Sequence, residues 1–319
     1  MSNQYGFIVR GGPDQSRLLC LWDAAFRACC ACDDGAPVGT EGYLSAFTFG
    51  DDLLSHFEAH GSPRGFNGPC GGAYVWLDFD GAGALDDARR VCAHLEALGA
   101  DAGLLAFFSG GKGFHLGVPV AALGAVPSVA FSATAKAFAL ALATEAGGAG
   151  TFDGSIFDKA RIFRAPNSRH AKSGLHKIAL DPAALLSMRE DSIRALAAEP
   201  QPFEVPDVPG VCNPLAQRWQ TAIHAAGASQ ARRAEYKQAA ASGNARLNPL
   251  TLRFIRDGAN PGERASRCFQ AAANLSECGA PSGLVFALLE SAALESGMTP
   301  SEATRQIQCG AAHGGRAHD

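Results

Sequence analysis

No stretch of the 319-residue chain reaches the roughly 18 uninterrupted apolar residues that a membrane-spanning helix needs. The alanine-rich run from Val126 to Ala146 comes nearest, and Lys136 and Glu145 interrupt it. The opening residues Ser2, Asn3 and Gln4 are polar and lack the basic-then-apolar order of a secretory signal. These absences lead us to expect a cytoplasmic protein with no membrane partner. Charged residues are few, at 18%, while hydrophobic residues reach 47%, a balance that excludes wholesale disorder. No Gly-x4-Gly-Lys-Ser/Thr phosphate loop occurs, so a fused P-loop motor is excluded.

Cysteine, by contrast, is plentiful, with ten residues. Cys29, Cys30 and Cys32 cluster, with Cys20 and Cys70 nearby. They read as reduced, partly buried thiols, and no zinc site is expected. His56 and His60 stand four apart on a predicted helix and lack a matching third ligand. The net charge of −4 is unevenly spread. Residues 1–213 carry 16 Lys and Arg against 23 Asp and Glu, and residues 214–319 carry 11 against 8. From Arg232 to Arg267 there are eight basic and three acidic residues, which suits a polyanionic partner or equally a solvated helix face.

Hydrophobic periodicity divides the chain into an α/β domain over 1–199, a proline-rich linker over 200–214 and a helical domain over 215–319. In the first domain the pattern predicts strands near 6–10, 43–49, 74–80 and 175–180, and a hairpin over 103–120. Helices are predicted over 17–32, 51–60, 84–98, 127–146 and 182–198. Beyond the linker, helices are predicted near 215–241, 249–256, 262–277, 281–296 and 300–308, with a frayed tail from Gly310.

Three motifs carry chemistry. The first is Tyr74-Val-Trp-Leu-Asp78-Phe-Asp80. Residues two apart on a strand share a face, so Asp78 and Asp80 converge, and a cation between them would relieve their repulsion. An Asp-x-Asp at a strand end is also common as plain turn chemistry. The second is Ser109-Gly-Gly-Lys-Gly-Phe-His115. Glycines such as Gly111 and Gly113 let backbone N–H groups approach phosphate oxygens, and Lys112 and His115 add charge or donors. An ordinary glycine hairpin would explain the glycines without the lysine and histidine. In the third, Asp153 or Asp158 offers a further carboxylate, followed by Arg161, Arg164, Arg169, His170 and Lys172. Asp158 also suits an ion pair with Arg161. Carboxylates for a divalent metal beside cations for phosphates are the layout that nucleotidyl transfer requires.

In order and spacing these motifs resemble the archaeo-eukaryotic primase superfamily, which includes the primase-polymerases of plasmids and phages. Leu77-Asp-Phe-Asp80 resembles its strand-borne Asp-x-Asp, and Ser109 to His115 its glycine-rich turn. Phe152-Asp153 with Arg161 to Gly174 resembles its Arg-Leu-x-Arg-x-Pro-x-Ser-x-His-x-Lys-x-Gly segment. The resemblance covers about 73–180. It implies an α+β fold, a split RRM-like catalytic core with an antiparallel sheet followed by an all-helical domain. It implies that Asp78, Asp80 and Asp153 are catalytic and hold two Mg²⁺ or Mn²⁺ ions. Ser109, Gly111, Lys112, Gly113 and His115 would meet the nucleotide phosphates, and Arg164, His170 and Lys172 the triphosphate.

A second similarity links Phe254 to Arg264, Phe269 to Leu275 and Gly297 to Glu302 with small helical modules that follow primase domains. There Arg253, Arg256, Arg264 and Arg267 are candidates to grip single-stranded template. The implied activity is a DNA-dependent primase-polymerase for a plasmid, phage or other mobile element. Its implied partners are single-stranded DNA, ribo- or deoxyribonucleoside triphosphates and a separate helicase. The alternatives are a non-catalytic replication initiation protein of the same fold and a gap-filling polymerase that cannot prime.

Overall fold

A polar-capped run of aromatic and β-branched residues makes Tyr74–Phe79 a strand, and the molecule is built on its two faces. The computed structural model describes residues 4–63, 65–241, 247–260 and 262–315, without the side chains of 232–241. The strands are β1 Tyr5–Arg10, β2 Leu18–Leu21, β3 Gly42–Ser45, β4 Tyr74–Phe79, β5 Leu105–Phe108, β6 Phe114–Pro119, β7 Ile162–Arg164 and β8 Ile178–Leu180. The helices of the same region are α1 Trp22–Ala31, α2 Asp51–His60, α3 Ala84–Ala97, α4 Phe131–Glu145, α5 Pro182–Leu185 and α6 Glu190–Leu196. Five more follow: α7 Asn213–Ala241, α8 Pro249–Asp257, α9 Arg264–Glu277, α10 Ser282–Glu295 and α11 Pro300–Gly315. The fold is mixed α/β with two small antiparallel sheets and a helical C-terminal region.

One sheet has the order β4-β6-β5-β8 and the other β2-β1-β3-β7. On β4, Val75, Leu77 and Phe79 alternate with Tyr74, Trp76 and Asp78. The first set is buried with the helices α3 and α4 that pack on this sheet. The second set faces the other sheet, where the Trp76 ring lies 4.7 Å from Phe163 of β7. Trp76 also lies over Gly117 of β6, where any Cβ would stand 2.6 Å from the indole. Burying about twenty large apolar side chains here, at about 1.5–3 kcal/mol each, drives the assembly of both sheets.

The chain divides into two compact units, Met1–Gly227 and Ala228–Asp319. The division falls later than the proline-rich segment, because that segment lies against the first unit. Phe203 N–H donates to Cys30 O (3.0 Å), and Cys212 N–H to Ala122 O (2.9 Å). Asn167, fully buried at φ 60°, donates to Cys29 O and Cys30 O and accepts from Gln201 N–H at 2.8 Å. Leu215 and Trp219 of α7 then enter the same core. In the second unit, Phe254, Leu275, Val285, Leu289 and Ile307 form a separate core.

Several local expectations are corrected. The predicted helix over 17–32 starts only at Trp22, because 18–21 pairs with β1 (Phe7 opposite Leu19). The predicted helix over 182–198 is two helices, α5 and α6. The expected frayed tail is helical to Gly315. Gly310 and Gly314 lie one turn apart on α11, and an added Cβ would come within 2.3 Å and 2.1 Å of the α9 carbonyls of Phe269 and Ala273. Glycine there lets two helices approach closely rather than ending one. Cys29 and Cys32 have Cys-x2-Cys spacing, contrary to the expectation that no cysteine pair does, but no third ligand joins them among the described residues. Cys29 is buried, with its thiol pushed up to about 12 by burial, and Cys32 is the left-handed C-cap of α1. No helix of the described residues is long and apolar enough to cross a membrane.

Candidate active site

The C-terminal end of β4 opens into a cleft of about 240 Å³ between the two sheets. Antiparallel pairing sets Asp78 opposite His115 of β6. The returning segment pairs on the other edge of β4: Asp153 N–H donates to Asp78 O (2.8 Å), and Asp80 N–H donates to Thr151 O (2.9 Å). Phe79 is thereby bridged to Phe152, which makes Asp153 the cross-strand neighbour of Asp78. Cross-strand partners and residues two apart share a face, so the register puts Asp78, Asp80 and Asp153 on one face. Asp87, which is nearly fully buried on α3, holds this segment by accepting from Thr151 N–H (2.8 Å) and Thr151 Oγ1 (2.9 Å).

The carboxylate side chains are committed locally. Asp153 accepts from Ser155 N–H and Ser155 Oγ, both at 2.8 Å. Asp80 Oδ1 accepts from Gly81 N–H at 2.9 Å. Asp78 Oδ1 lies 3.3 Å from His115 Nε2. Among the described residues no three His, Cys, Asp or Glu side chains converge as a metal ion requires. The donor chemistry, three carboxylates on one face, nonetheless suits a hard divalent cation. Burial works to raise the Asp78 carboxyl, but His115, Lys177 and Arg161 outweigh it and hold it below the usual range. Burial, then Lys177, lowers His115 against the opposing pull of Asp78, so the imidazole is neutral near pH 7. Its Nδ1 is buried with no partner among the described residues.

The glycine turn closes on its own hydroxyl. Ser109 Oγ accepts from Gly113 N–H (3.0 Å) and Gly111 N–H (3.3 Å). Gly113 passes so close to β4 that a Cβ would stand 2.7 Å from Phe79 O. Lys112 is exposed at the cleft. His170 Nδ1 accepts from Lys172 N–H and Ser173 N–H at 3.2 Å each, which leaves Nε2 as the protonated nitrogen. That nitrogen lies 3.1 Å from where a Gly111 Cβ would stand, so the turn passes close against the imidazole. Burial and Arg164 hold His170 below the usual histidine range.

The opposite wall comes from β7 and β3, and the sequence reading did not foresee its construction. Arg164 is the register partner of Tyr43. Lys177 is fully buried. Its ammonium donates to Arg164 O (2.8 Å) and lies 4.3 Å, 4.6 Å and 5.5 Å from the ring centres of Phe163, Phe107 and Trp76. That pins β7 to the first sheet through a buried cation. Arg161 also lines the cleft and donates to Ser155 Oγ (3.1 Å), one bond from Asp153.

The cleft therefore gathers Asp78, Asp80, Ser109, Gly111, Lys112, Gly113, His115, Arg164 and His170. Asp153 adjoins it through β4, and Lys172 is exposed outside its lining. Asp158 caps its own turn through Ala160 N–H (2.8 Å). In the second unit, Arg256 forms two hydrogen bonds to Asp257 (2.8 Å and 2.7 Å), Arg267 lies 3.7 Å from Glu263, and Arg264 donates to Ser296 O (3.4 Å). Arg253 is exposed. The side chains of Arg232, Arg233, Lys237 and Arg246 lie outside the described residues.

No family model matches the chain, and no curated protein matches it. Among solved structures, one titled crystal structure of primase RepB' is similar at 14% identity over 97% of this chain and 89% of that one. Its TM-score of 0.31 is too low for the likeness to carry an argument about fold or activity.

Proposed function

We propose that the chain is a DNA-dependent primase-polymerase that transfers nucleotides on a single-stranded template. One observation carries this reading: the β4 register puts three carboxylates on one face, at the mouth of a cleft that Lys112, Arg161 and Arg164 also line. Asp78, Asp80 and Asp153 would hold Mg²⁺ or Mn²⁺, which lowers the pKa of an attacking hydroxyl and neutralises charge on the transferring phosphoryl group. To do so, Asp80 and Asp153 would give up their bonds to Gly81 and Ser155. His115 orients Asp78. Lys112, Arg164 and His170 bind the triphosphate oxygens, and Arg253 and its neighbours bind the template backbone. A 3′-hydroxyl attacks the α-phosphate of the incoming nucleotide and pyrophosphate leaves, so the product is extended DNA or, when the hydroxyl belongs to a first nucleotide, a new primer, for replication with a separate helicase.

The test is extension of a labelled strand on a single-stranded template with Mg²⁺ or Mn²⁺, with and without primer. Wild type makes product in both cases, and D78A with D80A makes none. Product only with primer identifies a gap-filling polymerase. One observation favours a second reading, a DNA-binding replication protein without catalysis: Asp80 and Asp153 are bonded to their own neighbours, and no three metal-type ligands converge among the described residues. DNA binding without synthesis under every metal would establish it.

A further inference from the structure

The N-terminal segment has no assigned part in the chemistry, yet it surrounds the guanidinium of Arg164. Nη1 of Arg164 donates to Glu41 Oε1 (3.1 Å) and Arg169 O (3.2 Å), and Nη2 donates to Tyr43 OH (3.2 Å). The Tyr43 hydroxyl donates to the same Glu41 oxygen at 2.8 Å. The guanidinium carbon lies 5.0 Å from the centre of the Tyr43 ring. The Arg164 side chain is 12% exposed and the Glu41 side chain 20%. A guanidinium has five N–H donors in a rigid plane, and these contacts use three. The remaining two, Nε–H and one on Nη2, have no protein partner among the described residues. They share one edge of the plane, the edge that matches two oxygens of a phosphate.

We infer that Glu41 is a positioning residue that fixes the rotation of the Arg164 fork, so that its Nε/Nη2 edge is presented to phosphate oxygens in the cleft. The inference rests on the proposed function for the identity of the ligand. Glu41 acts in two ways that oppose each other. As an acceptor it orients the fork, and as an anion it offsets the charge that attracts phosphate. The geometry favours orientation, since Glu41, Tyr43 and the Arg169 carbonyl together leave Arg164 a single rotation. Alanine removes both roles, whereas glutamine keeps an acceptor oxygen and removes the charge.

The experiment measures binding of inorganic tripolyphosphate to the full chain by calorimetry, without metal or catalysis, with melting temperature as the control for folding. E41A is expected to bind about tenfold more weakly, the scale of one charge-assisted hydrogen bond. E41Q is expected to match wild type within about twofold or to bind more tightly, since the acceptor remains. In an R164A background, E41A is expected to add no further loss, a coupling that a general structural defect would not produce. Binding by E41A equal to or tighter than wild type overturns the inference. So does E41Q as weak as E41A, or equal losses with and without Arg164. Wild-type chain that binds neither tripolyphosphate nor nucleoside triphosphate overturns the proposed function itself, an outcome distinct from the others.

Discussion

The two walls of the cleft are held in different ways. The acidic wall presents Asp80 exposed and Asp78 and Asp153 partly exposed, with Asp80 and Asp153 bonded to atoms one or two residues away. The cationic wall presents Arg164 held by Glu41, Tyr43 and Arg169, over Lys177 buried among three aromatic rings. Short-range bonds at a surface are easily exchanged, so the acidic wall can adapt to a cation. Buried, mutually bonded groups resist rearrangement, so the cationic wall is preorganised. Substitutions should therefore separate activity from stability on one side and couple them on the other.

The largest expected effect is on the acidic wall. D78A with D80A should lower the extension rate by about 10³-fold or more, because the metal-bound charge stabilisation is lost. D80A alone, at the exposed carboxylate, should leave the melting temperature close to that of wild type, and a large drop would break the comparison. On the cationic wall, R164A should both weaken nucleotide binding and lower stability by about 2 kcal/mol, since it leaves Glu41 without its charged partner. Chemical denaturation and a KM measurement check the two arms, and loss of binding with unchanged stability would contradict the claim of preorganisation. At the join between the walls, G113A should cost about 1–3 kcal/mol, because its Cβ meets Phe79 O at 2.7 Å. A melt with no shift would show that the turn can move.

A smaller effect is a pH slope. Burial lowers the Lys177 ammonium well below its usual 10.5. The unfolded chain keeps that proton up to about 10.5, whereas the folded chain releases it earlier. Folding therefore releases a proton in that window, and stability rises with pH through it. K177M should remove the rise, and denaturation curves at several alkaline pH values read the difference. Smallest is the template contact. R253A should reduce the salt dependence of single-stranded DNA binding by about one counterion, and R256A, already paired with Asp257, by less. Equal effects would deny Arg256 that intramolecular partner in solution.

The acidic wall was the more legible because its signals are local. Strand alternation gave the shared face of Asp78 and Asp80, and glycine chemistry gave the hairpin around Ser109 to His115. The neighbourhood of Asp78 and Asp153 is long-range; the family resemblance implied it, and the β4 pairing places the two side by side. Tyr43 and Glu41 left no comparable signal. They reach Arg164 through pairing of β3 with β7, strands about 120 residues apart, and no local pattern encodes that register. Lys177 was equally hidden, since a lone lysine between apolar residues ordinarily faces water. The helices of the second unit were legible to within a few residues, except where Gly310 and Gly314 looked like an ending. A glycine spaced for helix contact and a glycine that ends a helix are the same residue in sequence, and only α9 distinguishes them.

The most direct test of the central claim is Mn²⁺ binding to the full-length chain, followed by electron paramagnetic resonance with and without nucleoside triphosphate. The account predicts that wild type binds Mn²⁺ and binds it more tightly with nucleotide. D78A with D80A should lose Mn²⁺ binding, D153A should weaken it, and R164A should lose only the enhancement by nucleotide. Equal Mn²⁺ binding by wild type and by D78A with D80A would contradict it.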